Sequence, residues 1–294
     1  MTRVAVLGCG YVGLELCRQL DAEVVGVRRS NAGVRAIEET GATAVQADVT
    51  DSDALETVPD ADVVVFAASS GGRGAGAARE VYVGGQRTAL DHFAGRADPP
   101  ERYVYTSSTG VYGDHGGDWV DEETPLAPAT EKTEVLAEAE TVALEGAAEH
   151  GIDGTVARFG GLYGPDRYRL DRYVEGPVTE GYLNMVHRDD AAGAVRFLIE
   201  EGAARGEVVV VVDDGPVEKW AFADWLAGQC GEPAPPKRTV EERLEGDVSE
   251  TVRRRLTTSK RCSNRKLRGL GYDFRYPTYR EGYRAAIAAR NGAE

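Results

Sequence analysis

Two clusters of residues in this chain of 294 have types and spacings that could do chemistry. The first is Gly8-Cys9-Gly10-Tyr11-Val12-Gly13, a Gly-x-Gly-x-x-Gly pattern. It follows the apolar run Val4–Leu7 and opens helix-like sequence through Leu20, after which Val24–Val27 forms a second apolar run. Strand, turn, helix, strand is the order that a dinucleotide's pyrophosphate needs. Gly8 allows the tight turn, Gly10 removes a side chain that would block the phosphates, and Gly13 lets the helix pack close to the strand. The helix N-terminus supplies free N–H groups and a positive dipole end. Tyr11 and Val12, which open the helix, and Ala67, which ends the fourth apolar run, complete this cofactor-binding set. The second cluster is Tyr103-Val104-Tyr105-Thr106-Ser107-Ser108-Thr109-Gly110-Val111-Tyr112-Gly113. It crowds hydroxyls at the C-terminal end of a predicted strand, where open α/β sheets bind ligands.

Positioning these groups requires a particular frame. Strands are expected at Val4–Leu7, Val24–Val27, Ala44–Gln46, Val63–Ala67, Tyr103–Thr106, Gly154–Phe159 and Val208–Val212. Helices are expected at Tyr11–Leu20, Ala32–Thr40, Asp53–Val58, Ala78–Phe93, Glu131–Glu149 and Asp189–Glu201. The strands are short, apolar and valine-rich, as befits strands covered on both faces. Their alternation with helices predicts an α/β fold built on a doubly wound, parallel Rossmann-type sheet. Residues 1–160 form the predicted dinucleotide-binding domain, with 185–212 returning to it. Residues 161–294 are mainly a smaller C-terminal substrate-binding lobe. The glycine-rich stretch 71–76 is expected as a loop on the cofactor side of the sheet.

Net charge is −15, with 49 acidic residues and only five lysines. A nucleic-acid backbone would be repelled, so no nucleic-acid partner is expected. Such an acidic, lysine-poor composition resembles that of proteins from salt-loving archaea, where salt screens self-repulsion; an ordinary acidic protein is the alternative. No apolar run is long enough to span a membrane, and the N-terminus enters a strand directly, without a signal-peptide pattern. Cys9, Cys17, Cys230 and Cys262 are scattered, suggesting neither a zinc site nor a disulfide framework. They are expected to be reduced, in a cytoplasmic protein.

The second strand ends in Val27-Arg28-Arg29-Ser30, at the position that meets the adenine ribose. An acidic residue there would favour NAD. Two arginines and a serine suit a 2′-phosphate, so NADP is the preferred cofactor and NAD the alternative. The competing reading makes one or both arginines solvated loop residues. After the third strand, Asp48 is placed to bond the adenine amino group and Val49 to pack on its ring. Helix capping by Asp48 or Asp51 is the alternative.

Together the glycine turn and the hydroxyl-rich strand resemble the extended short-chain dehydrogenase/reductase superfamily, in its NAD-dependent epimerase/dehydratase branch. Asp121–Pro128 resembles the family's Asp-Glu-x-x-Pro-x-x-Pro stretch. Arg158–Pro165 resembles its Arg-x-x-x-x-Tyr-Gly-Pro segment, which implies that Tyr163 lies beside the nicotinamide. Asn184–Asp190 resembles its Asn-x-x-His-x-x-Asp. The resemblance implies a catalytic hydroxyl at Ser108. It also implies a Tyr-x-x-x-Lys pair on the helix after Pro128, one face of which would carry both groups. The chain departs from the pattern here: the tyrosine position falls on Lys132 and the lysine position on Leu136. Tyr112, Lys132 and Tyr163 are the candidate replacements for proton transfer, and Lys132 as a solvated helix residue is the competing reading.

Other groups have structural readings beside the chemical ones. His187 is expected to order a loop before a helix capped by Asp189 or Asp190. Arg158 is expected to anchor its strand through a buried ion pair. Arg167, Arg169 and Arg172, with Tyr163, Tyr168 and Tyr173, could grip an anionic or sugar-like ligand. In Ser259–Tyr272, Ser263 and Asn264 are expected to cap a short helix that Leu267 and Leu270 pack down; an anion site or a subunit contact is the alternative. Two functions follow. One is an NAD(P)-dependent oxidoreductase, epimerase or dehydratase acting on a sugar-nucleotide-like or other hydroxyl/carbonyl small molecule. The other is a cofactor-binding regulator or assembly partner without turnover. A homodimer is compatible with either.

Overall fold

The apolar runs become strands because each is short enough to be covered on both faces. The computed structural model describes residues 1–292 except 72, 73 and 247. β1 (Arg3–Leu7) leads into α1 (Tyr11–Gln19), β2 (Glu23–Arg28), α2 (Asn31–Glu38), β3 (Thr43–Gln46), α3 (Ser52–Leu55) and β4 (Val63–Phe66). α4 (Ala75–Arg79) runs through a π turn (Glu80–Gly84) into α5 (Gly85–Ala94), and β5 (Arg102–Ser108) follows. α6 (Glu131–Thr141) likewise passes a π turn (Val142–Gly146) into α7 (Ala147–Glu149). β6 (Asp153–Phe159), α8 (Arg188–Glu200) and β7 (Glu207–Val211) complete the frame. Gly72 and Arg73, in the expected glycine-rich loop, lie outside the described residues.

Seven strands form one sheet in the order β7-β6-β5-β4-β1-β2-β3. β1 is parallel to both neighbours, with Val4 opposite Val24 on β2 and Val63 on β4. β3 and β5 extend the sheet in parallel on the two sides. This is the doubly wound, Rossmann-type sheet that the alternation predicts, and its order reverses between β1 and β4, where such sheets place ligands.

The chain divides into two compact units. The first comprises residues 1–111, 131–158 and 191–209 and the second 112–130, 159–190 and 210–294. Residues 112–130 and 185–190 thus group with the second unit, for which strand pairing gives the reason. Trp119–Val120 pairs in parallel with Arg261–Cys262, and Met185–His187 with Gly161–Tyr163.

The first unit's core is aliphatic with a few rings: Leu7, Val27, Phe66, Tyr103 and Tyr105 pack against Leu90 and Phe93 of α5 and Val135 and Ala139 of α6. Full burial of each large apolar side chain contributes about 1.5–3 kcal/mol. The second unit is held by aromatic packing. Tyr163 stacks on Tyr283 at 5.0 Å, and Phe222 meets Tyr283 and Tyr279 edge-on at 5.2 Å. A second cluster there joins Tyr112, Val120, Val210, Val212 and Cys262. No helix among the described residues is long and apolar enough to cross a membrane.

Candidate functional site

In the first unit, a cavity of about 250 Å³ opens where β1, β2, β3 and β4 end, lined by Gly8, Gly10, Arg28, Arg29, Ser30, Asp48 and Val49 among others. Gly8 has φ +88°, and a Cβ there would lie 2.2 Å from the Ala68 Cα, so only glycine fits the turn. Gly10 forms the N-cap of α1; no side chain bonds to that cap, and no acidic residue sits in the first turn. The helix's own first turn thus adds no carboxylate to offset its positive end. Tyr11, Val12 and Gly13 form that first turn, with Val12 and Gly13 buried. The residues present thus fit a dinucleotide's pyrophosphate. At the end of β4, Ala67 donates its N–H to the Leu7 carbonyl, and the next two residues, Ala68 and Ser69, line the cavity.

Where β2 ends at this cavity, the two arginines do different things. Arg28 Nη1 donates to the Cys9 carbonyl, so its guanidinium lies over the glycine turn. Arg29 is exposed and meets the Asp48 carboxylate at 3.3 Å. Ser30 caps α2 by accepting the Gly33 N–H at 3.2 Å, which leaves its hydroxyl hydrogen free to point elsewhere. Asp51, not Asp48, caps α3. Asp48 accepts the Thr50 N–H and hydroxyl. Partial burial opposes its charge, but the Thr50 bonds and Arg29 outweigh burial and hold the carboxyl below its usual range. Val49 is buried at the cavity wall. Cys9 and Cys17, with no motif linking them in the sequence, are brought together with their Sγ atoms 3.5 Å apart. All four cysteines are free.

The end of β5 carries the first unit's second polar group. Half-buried Ser108 accepts the Gly110 N–H at 3.1 Å. Behind it, Ser107 donates to Glu140 Oε1 at 2.6 Å, and Glu140 receives Arg158 Nη2 at 2.6 Å and Nε at 2.9 Å. All three residues are buried, so Arg158 has the anchoring ion pair expected of it. Its partner went unforeseen, although Glu140 lies one helical turn beyond Leu136 on the same face. Lys132, in the first turn of α6, is exposed.

Residues 4–213, over two thirds of the chain, match the model of the NAD dependent epimerase/dehydratase family. The chain belongs to that family. It is 28% identical to Protein YeeZ of Escherichia coli strain K12 over 291 residues, covering 94% of this chain and 97% of that one. A solved structure of a functionally unknown conserved protein from Silicibacter pomeroyi superposes with TM-score 0.79 at 26% identity, covering 98% of this chain and 99% of the other. The NAD complex of dTDP-glucose 4,6-dehydratase from Bacillus anthracis superposes with TM-score 0.78, covering 100% and 98% of the two chains. At 18% identity it shares the fold alone.

In this epimerase/dehydratase-family protein, the positions expected to complete the site take unusual roles. Tyr112 is fully buried in the Val120–Cys262 cluster, so its phenol is packing material in this conformation. Tyr163 is buried in the aromatic stack, and burial first, then the nearby Asp213 carboxylate, push its phenol far above the usual range. A phenol so shifted is a poor source of phenolate at neutral pH. Gly282 lies against it, where a Cβ would come 2.1 Å from the Tyr163 hydroxyl. His187 is buried and accepts the Asp189 N–H on Nδ1 at 3.2 Å; burial pushes it down to about 4, so it is a neutral imidazole that orders this turn. Asp190 accepts from Tyr272 and from the Arg275 and Tyr276 N–H groups, tying down the C-terminal segment. Asp213, also buried, accepts the Gly215 N–H on one oxygen while the other has no partner; burial raises its carboxyl well above the usual range.

Within the basic segment, one arginine is neutralised by nearby carboxylates. Arg268 bonds Asp214 and Asp273, and Asn264 bonds Asp214 and the Val212 carbonyl. Asn264 is the N-cap residue of the short helix Arg265–Gly269 but makes no side-chain cap, whereas Ser263 accepts the Arg265 N–H. Leu267 is buried as expected, but Leu270 is 37% exposed and does not pack the helix down. Arg167, Arg169 and Arg172 are exposed, with Arg169 held at φ +54°.

Proposed function

We propose that this protein binds NADP(H) in the first-unit cavity and uses it to oxidise or reduce a small hydroxyl/carbonyl substrate, of which a sugar nucleotide is one form. The observation that carries the reading is the cavity's composition: an uncapped helix N-terminus behind a glycine turn, with Arg28, Arg29 and Ser30 where the adenine ribose would lie. When bound, the nicotinamide supplies hydride transfer. The α1 N-terminus and Gly10 hold the pyrophosphate. Arg29 and the Ser30 hydroxyl hold the 2′-phosphate, a charge-assisted arrangement that displaces Asp48 from Arg29. Ser108 orients the substrate oxygen by hydrogen bonding at the end of β5. With Leu136 at the lysine position and Lys132 exposed at the tyrosine position, proton exchange passes through Lys132 or solvent instead of a tyrosine–lysine pair.

That same substitution favours a second reading, a cofactor-binding regulator or assembly partner without turnover. Single-turnover mixing of the protein with NADPH and a panel of aldehydes, ketones and 4-keto sugar nucleotides separates the two. Loss of the reduced-nicotinamide absorbance, abolished or slowed by Ser108→Ala with NADPH affinity unchanged, supports the enzyme. Binding without oxidation, accompanied by a cofactor-dependent change in oligomeric state, supports the regulator. Failure to bind either NADPH or NADH refutes both.

A further inference from the structure

The helices that cover β4 and β5 bring one more phenol to the cofactor end of the first unit's sheet. Tyr82 sits in the π turn Glu80–Gly84 between α4 and α5. Val81 before it lines the cofactor cavity, Val83 after it belongs to the core, and Tyr82 itself packs half-buried against that core. Three successive residues of an α-helix fan over about 200°. The wider turn lets all three face the sheet, and such turns occur frequently at functional sites. Contacts with α6 hold the turn in place. Gln86 Nε2 donates both to the Tyr82 carbonyl and to the Ala139 carbonyl, and Arg79 pairs with Glu138. The Tyr82 phenol oxygen accepts the Ser70 N–H and the Ser70 hydroxyl, each at 3.4 Å. Ser70 lies just past the end of β4, next to Ala68 and Ser69 of the cavity wall. The hydroxyls of Tyr103 and Tyr105, by contrast, are sealed in the core.

We propose that Tyr82 is a cofactor-binding residue whose hydroxyl donates a hydrogen bond to the ribose on the nicotinamide side; this rests on NADP(H) occupying the first-unit cavity. β2 and β4 lie on opposite sides of β1. A dinucleotide with its adenosine at Arg29 and its pyrophosphate at Gly10 therefore lays its other half over the ends of β4 and β5. Ser70 holds the Tyr82 phenol at that end. A phenol both donates and accepts. With Ser70 donating to its oxygen twice, the phenol's own proton is left to meet a ligand oxygen, and a ribose hydroxyl is an acceptor of that kind. On α6, packed beside the turn, Leu136 stands at the family's lysine position and brings no polar atom. Tyr82 brings a neutral donor to the same side of the sheet.

Calorimetric titration of wild type and Tyr82→Phe with NADPH, NADH and adenosine 2′,5′-bisphosphate tests this contact without any turnover. The variant should bind both reduced cofactors about 3–10-fold more weakly, the size of one net neutral hydrogen bond. It should bind the bisphosphate, which lacks the nicotinamide-side ribose, as wild type does. A variant that binds NADPH as tightly as wild type overturns this inference and leaves the cofactor reading standing. An equal loss for NADPH and the bisphosphate also overturns it, because the substitution would then act on the adenosine end. Wild-type protein that binds neither cofactor overturns the cofactor reading and this contact together. If Tyr82→Phe does not fold, fluorotyrosine placed at residue 82 decides. Its fluorine resonance should move with NADPH and not with the bisphosphate, and a resonance indifferent to NADPH overturns the inference.

Discussion

The buried group behind β5 gives the sharpest quantitative expectation. Glu140 and Arg158 are 3% and 4% exposed and share a two-pronged contact at 2.6 and 2.9 Å, with the Ser107 hydroxyl completing the carboxylate. Glu140→Ala removes the buried carboxylate that faces the Arg158 guanidinium. Breaking one side of such a pair costs about 3–5 kcal/mol. Ser107→Ala removes one bond to a charged acceptor, at a cost of about 1.5–3 kcal/mol. Replacing both charges, as Glu140→Leu with Arg158→Met, should recover most of the loss, since paired apolar replacements are often neutral or better. The assay is urea denaturation followed by circular dichroism, at low and at molar KCl. Because the pair is shielded from solvent ions, the cost should be the same at both salt concentrations. A Glu140→Ala cost below about 1 kcal/mol would refute the reasoning, as would a double variant no better than Glu140→Ala. The first result would mean that water reaches the pair; the second, that shape and not charge holds β5 in place.

Arg29→Ala should weaken NADPH binding by about 1–2 kcal/mol, roughly 5–30-fold, while leaving NADH binding nearly unchanged; the exposed position keeps the loss below that of a buried contact. Arg28→Ala, whose guanidinium lies over the glycine turn, should weaken both cofactors, and titration by nicotinamide fluorescence would separate the two arginines. Gly8→Ala should destabilise the fold by about 2–5 kcal/mol and abolish cofactor binding, because a left-handed φ and a collision with Ala68 add together. Asp213 has a raised carboxyl, so its contribution to stability is present at low pH and lost as pH rises; Asp213→Asn should therefore flatten the acid-to-neutral urea profile and raise the midpoint at neutral pH. His187 works in the opposite sense. With its imidazole pushed down from 6.5 to about 4, the unfolded chain binds the extra proton across that window, so stability falls by about 2–3 kcal/mol as pH drops through it. His187→Asn should remove that part of the acid slope in the same denaturation series.

The frame was legible in the sequence because one-dimensional periodicity carries it. Valine runs alternate with amphipathic segments, and the glycine turn sits where only strand, turn and helix can follow. What pairs across long sequence separations was not legible. Nothing in Trp119–Val120 announces that it pairs with Arg261–Cys262, the pairing that goes with the grouping of residues 112–130 in the second unit. Residue type also misled where burial decides the role. Tyr112 reads as a phenol for proton transfer beside Ser108, yet it is a core side chain, and Leu270 reads as core, yet it faces solvent.

The missing tyrosine–lysine pair bears on chemistry more than the matches do. A lysine normally lowers its neighbour's phenol into a working range; here the Tyr163 phenol is driven upward by burial instead. Lys132, the residue at the tyrosine position, is exposed at the start of α6. If this protein turns over, the proton step should limit the rate, and the rate of single-turnover NADPH oxidation should respond to external buffer acids. Lys132→Met should then slow that oxidation without changing NADPH affinity. A rate indifferent both to buffer and to Lys132→Met would place the proton donor elsewhere and remove Lys132 from the mechanism.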